Sequence, residues 1–182
     1  MDAGYSCTKK GGKMILWLIG ISGAGKTTLG RKLEKHFNDI GKKCYLLDGD
    51  EVRDLFDRDL GYTDTDREAN IKRIILGAYL LDRNDIVGII CNIAPIERLR
   101  QLARKKITGY NEIYLRKDIQ VSIKNDVKNV YRDNMGKTQI VGLDTSFDEP
   151  QSPDLVIDVD EESEEESYNR ILDYIHKKYG ED

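Results

Sequence analysis

The stretch Gly20-Ile21-Ser22-Gly23-Ala24-Gly25-Lys26-Thr27 constrains this chain more than any other. It follows a short apolar run, Met14–Ile19, and opens a helix-length amphipathic stretch that begins at Lys26. The spacing Gly-x4-Gly-Lys-Thr lets successive backbone N–H groups turn inward around phosphate oxygens, which side chains at Gly20, Gly23 and Gly25 would obstruct. In that arrangement Lys26 reaches the β- and γ-phosphates, the Thr27 hydroxyl ligates Mg²⁺, and the positive end of the following helix adds to the field. The expected ATP-binding set is Gly20, Ser22, Gly23, Ala24, Gly25, Lys26, Thr27 and Thr28. The motif predicts nucleotide binding, but it serves equally a kinase acting on a metabolite and a switch or motor driven by hydrolysis.

Short apolar runs alternate with amphipathic stretches along the rest of the chain, the pattern of a parallel sheet covered by crossover helices. The expected class is α/β, a three-layer domain of the P-loop NTPase type with a mainly parallel sheet. Strands are expected at Met14–Ile19, Lys43–Leu47, Ile86–Cys91, Glu112–Leu115 and Leu155–Asp158. Helices are expected from Lys26, near Asp66, near Pro95 and near Lys117, with a last one from about Glu164 to Lys178. Pro95 suits a first helical turn, where its missing N–H is not needed. The acid run from Asp158 to Glu166 reads as a helix start, because carboxylates there meet the positive end of the helix dipole.

A length of 182 residues, 39% of them hydrophobic, suits one core, so residues 14–182 are expected to form a single domain and 1–13 a flexible leader. Between about Ser122 and Pro153 the periodicity weakens and basic residues are scattered among Asn, Asp and Gly, which reads as a lid. The net charge of −4 argues against polymeric nucleic acid as a partner. The apolar run before the loop falls below the roughly 18 residues of a membrane span and lacks cleavage-site chemistry. Cys7, Cys44 and Cys91 make no C-x-x-C pair and there are two histidines, so no zinc cluster is implied and a reduced cytoplasmic protein is expected.

Two features favour a kinase over a switch. The apolar strand Ile86–Cys91 runs into Asn92-Ile93-Ala94-Pro95 and lacks the terminal Asp that would hold a second metal contact in a switch. Leu47-Asp48-Gly49-Asp50 instead places two carboxylates at the carboxyl edge of the sheet, where α/β folds bind ligands. Asp50 is positioned to take a hydroxyl proton, and Asp48 to hold a metal-bound water or orient Asp50, although Asp-Gly is also a turn pair. Arg53, Tyr62, Arg67 and Asn70 add forked cations, a ring and an amide, a set suited to a nucleotide acceptor with phosphate-like anions and a flat base.

The segments Gly20–Thr28, Leu47–Asp50, Asp59-Leu60-Gly61-Tyr62 and Asp66-Arg67-Glu68-Ala69-Asn70-Ile71 resemble the adenylylsulfate kinase family over about Ile15 to Asp158. The resemblance implies MgATP-dependent phosphorylation of the ribose 3′-hydroxyl of adenosine 5′-phosphosulfate. Asp50 would be the base or hydroxyl-orienting residue, with Lys26 and Asp48 beside it and Thr27 and Asp48 at the metal. Arg53, Arg67 and Asn70 would bind the acceptor, and Tyr62 would take the place of a family phenylalanine that stacks on the base. Lys128 resembles the lid lysine, and homodimers are common in the family. Departures are Asn125 for arginine, Asn129 for glycine, Ile140 for a second base-stacking phenylalanine and Ala94 for serine. Divergent relatives phosphorylate a cytidine diphosphoramidate, which is the alternative acceptor. A nucleotide-binding switch with no acceptor is the alternative from another class.

Overall fold

The computed structural model describes residues 13–120, 141 and 146–180. The expected leader and most of the expected lid, with Lys128, Asn125 and Ile140, lie outside the described residues, as does most of the helix expected near Lys117. In chain order the elements are β1 (Ile15–Ile19), α1 (Lys26–Asp39), β2 (Cys44–Asp48), α2 (Gly49–Leu55), α3 (Asp64–Arg83), β3 (Val87–Cys91), α4 (Glu97–Lys106), β4 (Tyr110–Arg116), β5 (Leu155–Asp158) and α5 (Glu164–Tyr179). The sheet order is β2-β3-β1-β4-β5, and each neighbouring pair is parallel. This is the α/β class and parallel topology expected from the alternating pattern.

All five residues of β1 are buried because helices cover both faces of the sheet. Strand alternation divides them between two cores. Leu16 and Leu18 pack with Leu29, Leu33, Phe37 and Ile171 of α1 and α5. Ile15, Trp17 and Ile19 pack with Ile71, Ile74, Leu99 and Ala103 of α3 and α4. The carboxyl ends of β1, β2 and β3 thus open onto one edge, and that edge carries the glycine loop, α2 and the turn into α4.

The helix starts follow local chemistry. Thr63 with Asp66, and Ser163 with Glu166, form capping boxes at α3 and α5. Glu164, Glu165 and Glu166 occupy the first turn of α5, so the acid run is a helix start, as the dipole argument predicts.

Three boundaries differ from expectation. The Asp48-Gly49-Asp50 segment is the capped start of α2, because the Asp48 carboxylate accepts the Asp50 N–H at 2.9 Å. Pro95 lies outside α4, which starts at Glu97, since Ala94 adopts φ of 45° and the Glu97 N–H is capped by Asp148 at 3.0 Å. Strand β4 begins at Tyr110, two residues early, because the polar Asn111 and Glu112 are buried within it.

Candidate functional site

The glycine loop turns as its spacing requires. Gly25 adopts φ of 84° and precedes α1, where no side chain caps the helix and no acidic residue sits in the first turn. The positive end of α1 therefore faces the loop, while α3 and α5 close theirs with capping boxes. Gly20, at φ of 148°, passes so close to β4 that a Cβ would come within 2.5 Å of the Leu115 carbonyl oxygen. Lys26 folds over the loop, its Nζ donating to the carbonyls of Gly20 at 2.8 Å and Ile21 at 2.7 Å. Ala24 is buried, Ser22 is half-buried and Thr28 is exposed on the first turn of α1.

One carboxylate joins the loop to the next strand. Thr27 Oγ1 donates to Asp48 Oδ2 at 2.8 Å, while Asp48 Oδ1 accepts the Asp50 N–H. Asp50 is exposed on the first turn of α2, one residue beyond the buried Gly49. The Thr27 hydroxyl and the Asp48 carboxylate are hard oxygen donors suited to Mg²⁺, which is usually held by one or two protein oxygens together with substrate phosphates and water. Among the described residues there is no cluster of three or more His, Cys, Asp or Glu that could cage a metal without such help.

The residues expected on the acceptor side also converge. Arg53 and Arg67 are each 9% exposed and flank the Tyr62 ring, their guanidinium carbons 4.7 and 5.7 Å from its centroid. Arg53 Nη1 donates to the carbonyls of Leu60 at 3.2 Å and Gly61 at 2.8 Å, and Arg67 Nε donates to that of Tyr62 at 2.9 Å. Burial first, and the like charge of Arg53 second, hold the Arg67 guanidinium below its usual range. Two cations so close create a field that favours an anion. Asn70 donates from Nδ2 to the Gly49 carbonyl at 3.3 Å, leaving Oδ1 buried without a hydrogen-bond partner.

Residues beyond these expectations complete the edge. A cavity of about 240 Å³ is lined by Asp64, Arg67, Pro95, Ile96, Ser146 and Asp148. Trp17 Nε1 donates to Asn92 Oδ1 at 2.7 Å, fixing the end of β3 beside Gly49. Asp59 pairs in a bidentate fork with Arg73 Nη1 and Nη2, both at 2.7 Å, and so anchors the segment that carries Tyr62. The Asp59–Tyr62 and Asp66–Ile71 segments already stood out in the sequence. Asp148 carried no local signal, because its partner Glu97 lies 51 positions away.

The fold and site define a kinase of the phosphate-loop class. The adenylylsulphate kinase family profile matches residues 12–158, and the chain belongs to that family. The adenylyl-sulfate kinase of Halothermothrix orenii is 38% identical over 90% of this chain and 89% of its own length. That of Bacillus pumilus is 34% identical over 90% of this chain and 85% of its own. Among solved structures, the Mycobacterium tuberculosis APS kinase in complex with AMPPNP and APS superposes with a TM-score of 0.83. It is 27% identical, covering 90% of this chain and 97% of that one. No helix among the described residues is long and apolar enough to cross a membrane.

Proposed function

We propose that this kinase transfers the γ-phosphoryl group of ATP to the ribose 3′-hydroxyl of adenosine 5′-phosphosulfate, yielding the 3′-phosphorylated nucleotide. The observation that carries the reading is Asp48, whose two oxygens tie Thr27 of the glycine loop to the start of the helix bearing Asp50. Donor phosphates and acceptor hydroxyl can therefore meet at one carboxyl edge.

In this reading the backbone N–H groups from Gly20 to Thr28 and the Lys26 ammonium bind the β- and γ-phosphates. Thr27 and Asp48 are the residues that would hold Mg²⁺. When bound, the ion supplies charge neutralisation for the phosphate oxygens. The 3′-oxygen forms its bond to the γ-phosphorus in line with the breaking bond to ADP, and Asp50 takes the hydroxyl proton. Arg53 and Arg67 bind the acceptor's anionic 5′ group, Tyr62 stacks on its base, and Asn70 Oδ1 accepts from the sugar.

Coupled assays of ADP release with adenosine 5′-phosphosulfate, with a cytidine diphosphoramidate and with no acceptor test the proposal. Turnover is expected with the adenylyl acceptor. Equal or better turnover of the cytidine compound would overturn the substrate, and appreciable ATP consumption without acceptor would favour a switch.

A further inference from the structure

One buried cation near this edge plays no part in the chemistry just described. Arg100, on the second turn of α4, is 1% exposed. Its Nη1 donates to the Ala94 carbonyl and its Nη2 to the Asp148 carbonyl, both at 2.6 Å, and Nη2 also pairs with the Glu97 carboxylate. Its Nε lies 3.8 Å from a Glu112 oxygen and has no hydrogen-bond partner. Burying a guanidinium is costly, and this one spends a donor on each of two carbonyls on segments more than fifty residues apart.

Both segments need holding. Ala94 has φ of 45°, a left-handed conformation that residues with a Cβ seldom adopt. The Asp148 side answers with two further bonds, its N–H donating to the Pro95 carbonyl at 2.9 Å and its Oδ2 accepting the Glu97 N–H at 3.0 Å. Phe147 stacks on Tyr114 at 5.8 Å, below the Arg100 guanidinium. Pro95 and Ile96 on one segment, and Ser146 and Asp148 on the other, line the cavity that Arg67 also lines.

We propose that Arg100 is a positioning residue for the acceptor: it clasps the turn between β3 and α4 to residues 146–148 and so sets the width of the acceptor cavity. The planar fork matters because it reaches two carbonyls at a fixed separation, whereas a lysine ammonium acts as a single point charge. The donor loop lies on other elements, so the effect falls on the acceptor side. The choice of acceptor rests on the function proposed above; the clasp itself does not.

The test uses the full chain with Arg100→Lys and Asp148→Ala. For Arg100→Lys, KM for adenosine 5′-phosphosulfate is expected to rise about tenfold while KM for ATP stays within about twofold. Amide exchange at Glu97 and Asp148 is expected to accelerate about tenfold, with β1 and β3 unchanged. Asp148→Ala removes only the side-chain contact to the Glu97 N–H and leaves the backbone bonds to Arg100 and Pro95. It therefore weakens the same junction and should give a smaller acceptor-specific rise, about threefold, which keeps the test decisive if Arg100→Lys folds poorly. Unchanged exchange at both amides in the folded variants overturns the clasp whatever the substrate. Accelerated exchange with both KM values raised alike overturns the acceptor-side role. If the wild type fails to phosphorylate the acceptor while exchange responds as expected, the substrate reading falls and the clasp stands.

Discussion

Asp48 has a structural task, and the function proposed above gives it a chemical one; two substitutions separate them. Its Oδ1 caps α2 through the Asp50 N–H, and its Oδ2 accepts the Thr27 hydroxyl. Replacement by alanine removes a cap worth about 1 kcal/mol and a hydroxyl bond worth about 1 kcal/mol more. For a chain of this size the sum of about 2 kcal/mol lowers Tm by roughly 4–8 °C. Asparagine is as good a cap as aspartate, so Asp48→Asn should melt within about 2 °C of wild type. It does remove the negative charge beside the Thr27 hydroxyl, and if that charge steadies the metal's water, activity should fall roughly 10–100-fold with a higher Mg²⁺ requirement. Thermal melts and ADP-release assays over a Mg²⁺ titration measure the two effects independently. An asparagine variant as unstable as the alanine one would refute the capping argument; one with near wild-type turnover at low Mg²⁺ would refute the metal-side role.

Asp50→Asn should lower turnover by roughly 10²–10⁴-fold, the usual weight of a general base, with ATP affinity by calorimetry changed less than about twofold; retained turnover would remove Asp50 from proton transfer. Gly30→Ala places a Cβ 2.6 Å from Cys91 Sγ and 2.7 Å from Leu46 Cδ1. The overpacking, about 1–3 kcal/mol, should exceed the helix-propensity gain of about 1 kcal/mol, so a rise in the urea midpoint would contradict the close approach of α1 to β2 and β3. Burial pushes the Cys44 and Cys91 thiols up to about 12, so both stay protonated at pH 8 and turn to reactive thiolate only as the pH nears that value. Brief iodoacetamide treatment followed by peptide mass spectrometry should find both unmodified in the native protein and alkylated in urea; rapid native labelling would count against their burial.

The donor half was legible because its determinants are contiguous. The shape of the Gly20–Thr28 loop lies in its backbone, so spacing alone predicts its geometry, and the apolar runs marked all five strands. The misplaced boundaries arose where distant side chains intervene. Helix α4 starts at Glu97 because Asp148 caps it, and no periodicity near Pro95 carries that information. Strand β4 was started at Glu112 because Asn111 reads as a strand boundary, and the polar pair Asn111-Glu112 carries no apolar signal. Both are buried, Asn111 bonded to Tyr174 and Tyr179 of α5, and Glu112 facing Tyr110, Arg100 and Arg104. Helix α2 was hidden in an Asp-Gly pair whose first member proves to be a cap.

Arg53 joins the acceptor recognition proposed above to a structural task that the fold displays. Read from the sequence it is an anion-binding fork, yet in the fold its Nη1 holds the carbonyls of Leu60 and Gly61, and its face lies against the Tyr62 ring. A guanidinium has five N–H donors, so two carbonyls on one nitrogen leave the other edge of the fork for an oxyanion. In the function proposed above, the residue that would meet the acceptor's charge thus also fixes the segment that carries the Tyr62 ring. Arg67 repeats the arrangement at the Tyr62 carbonyl, and Arg73 anchors Asp59 at the segment's other end. In that proposed function, base stacking and anion binding would be coupled through the same short segment, since both arginines hold the backbone around Tyr62 and lie against its ring.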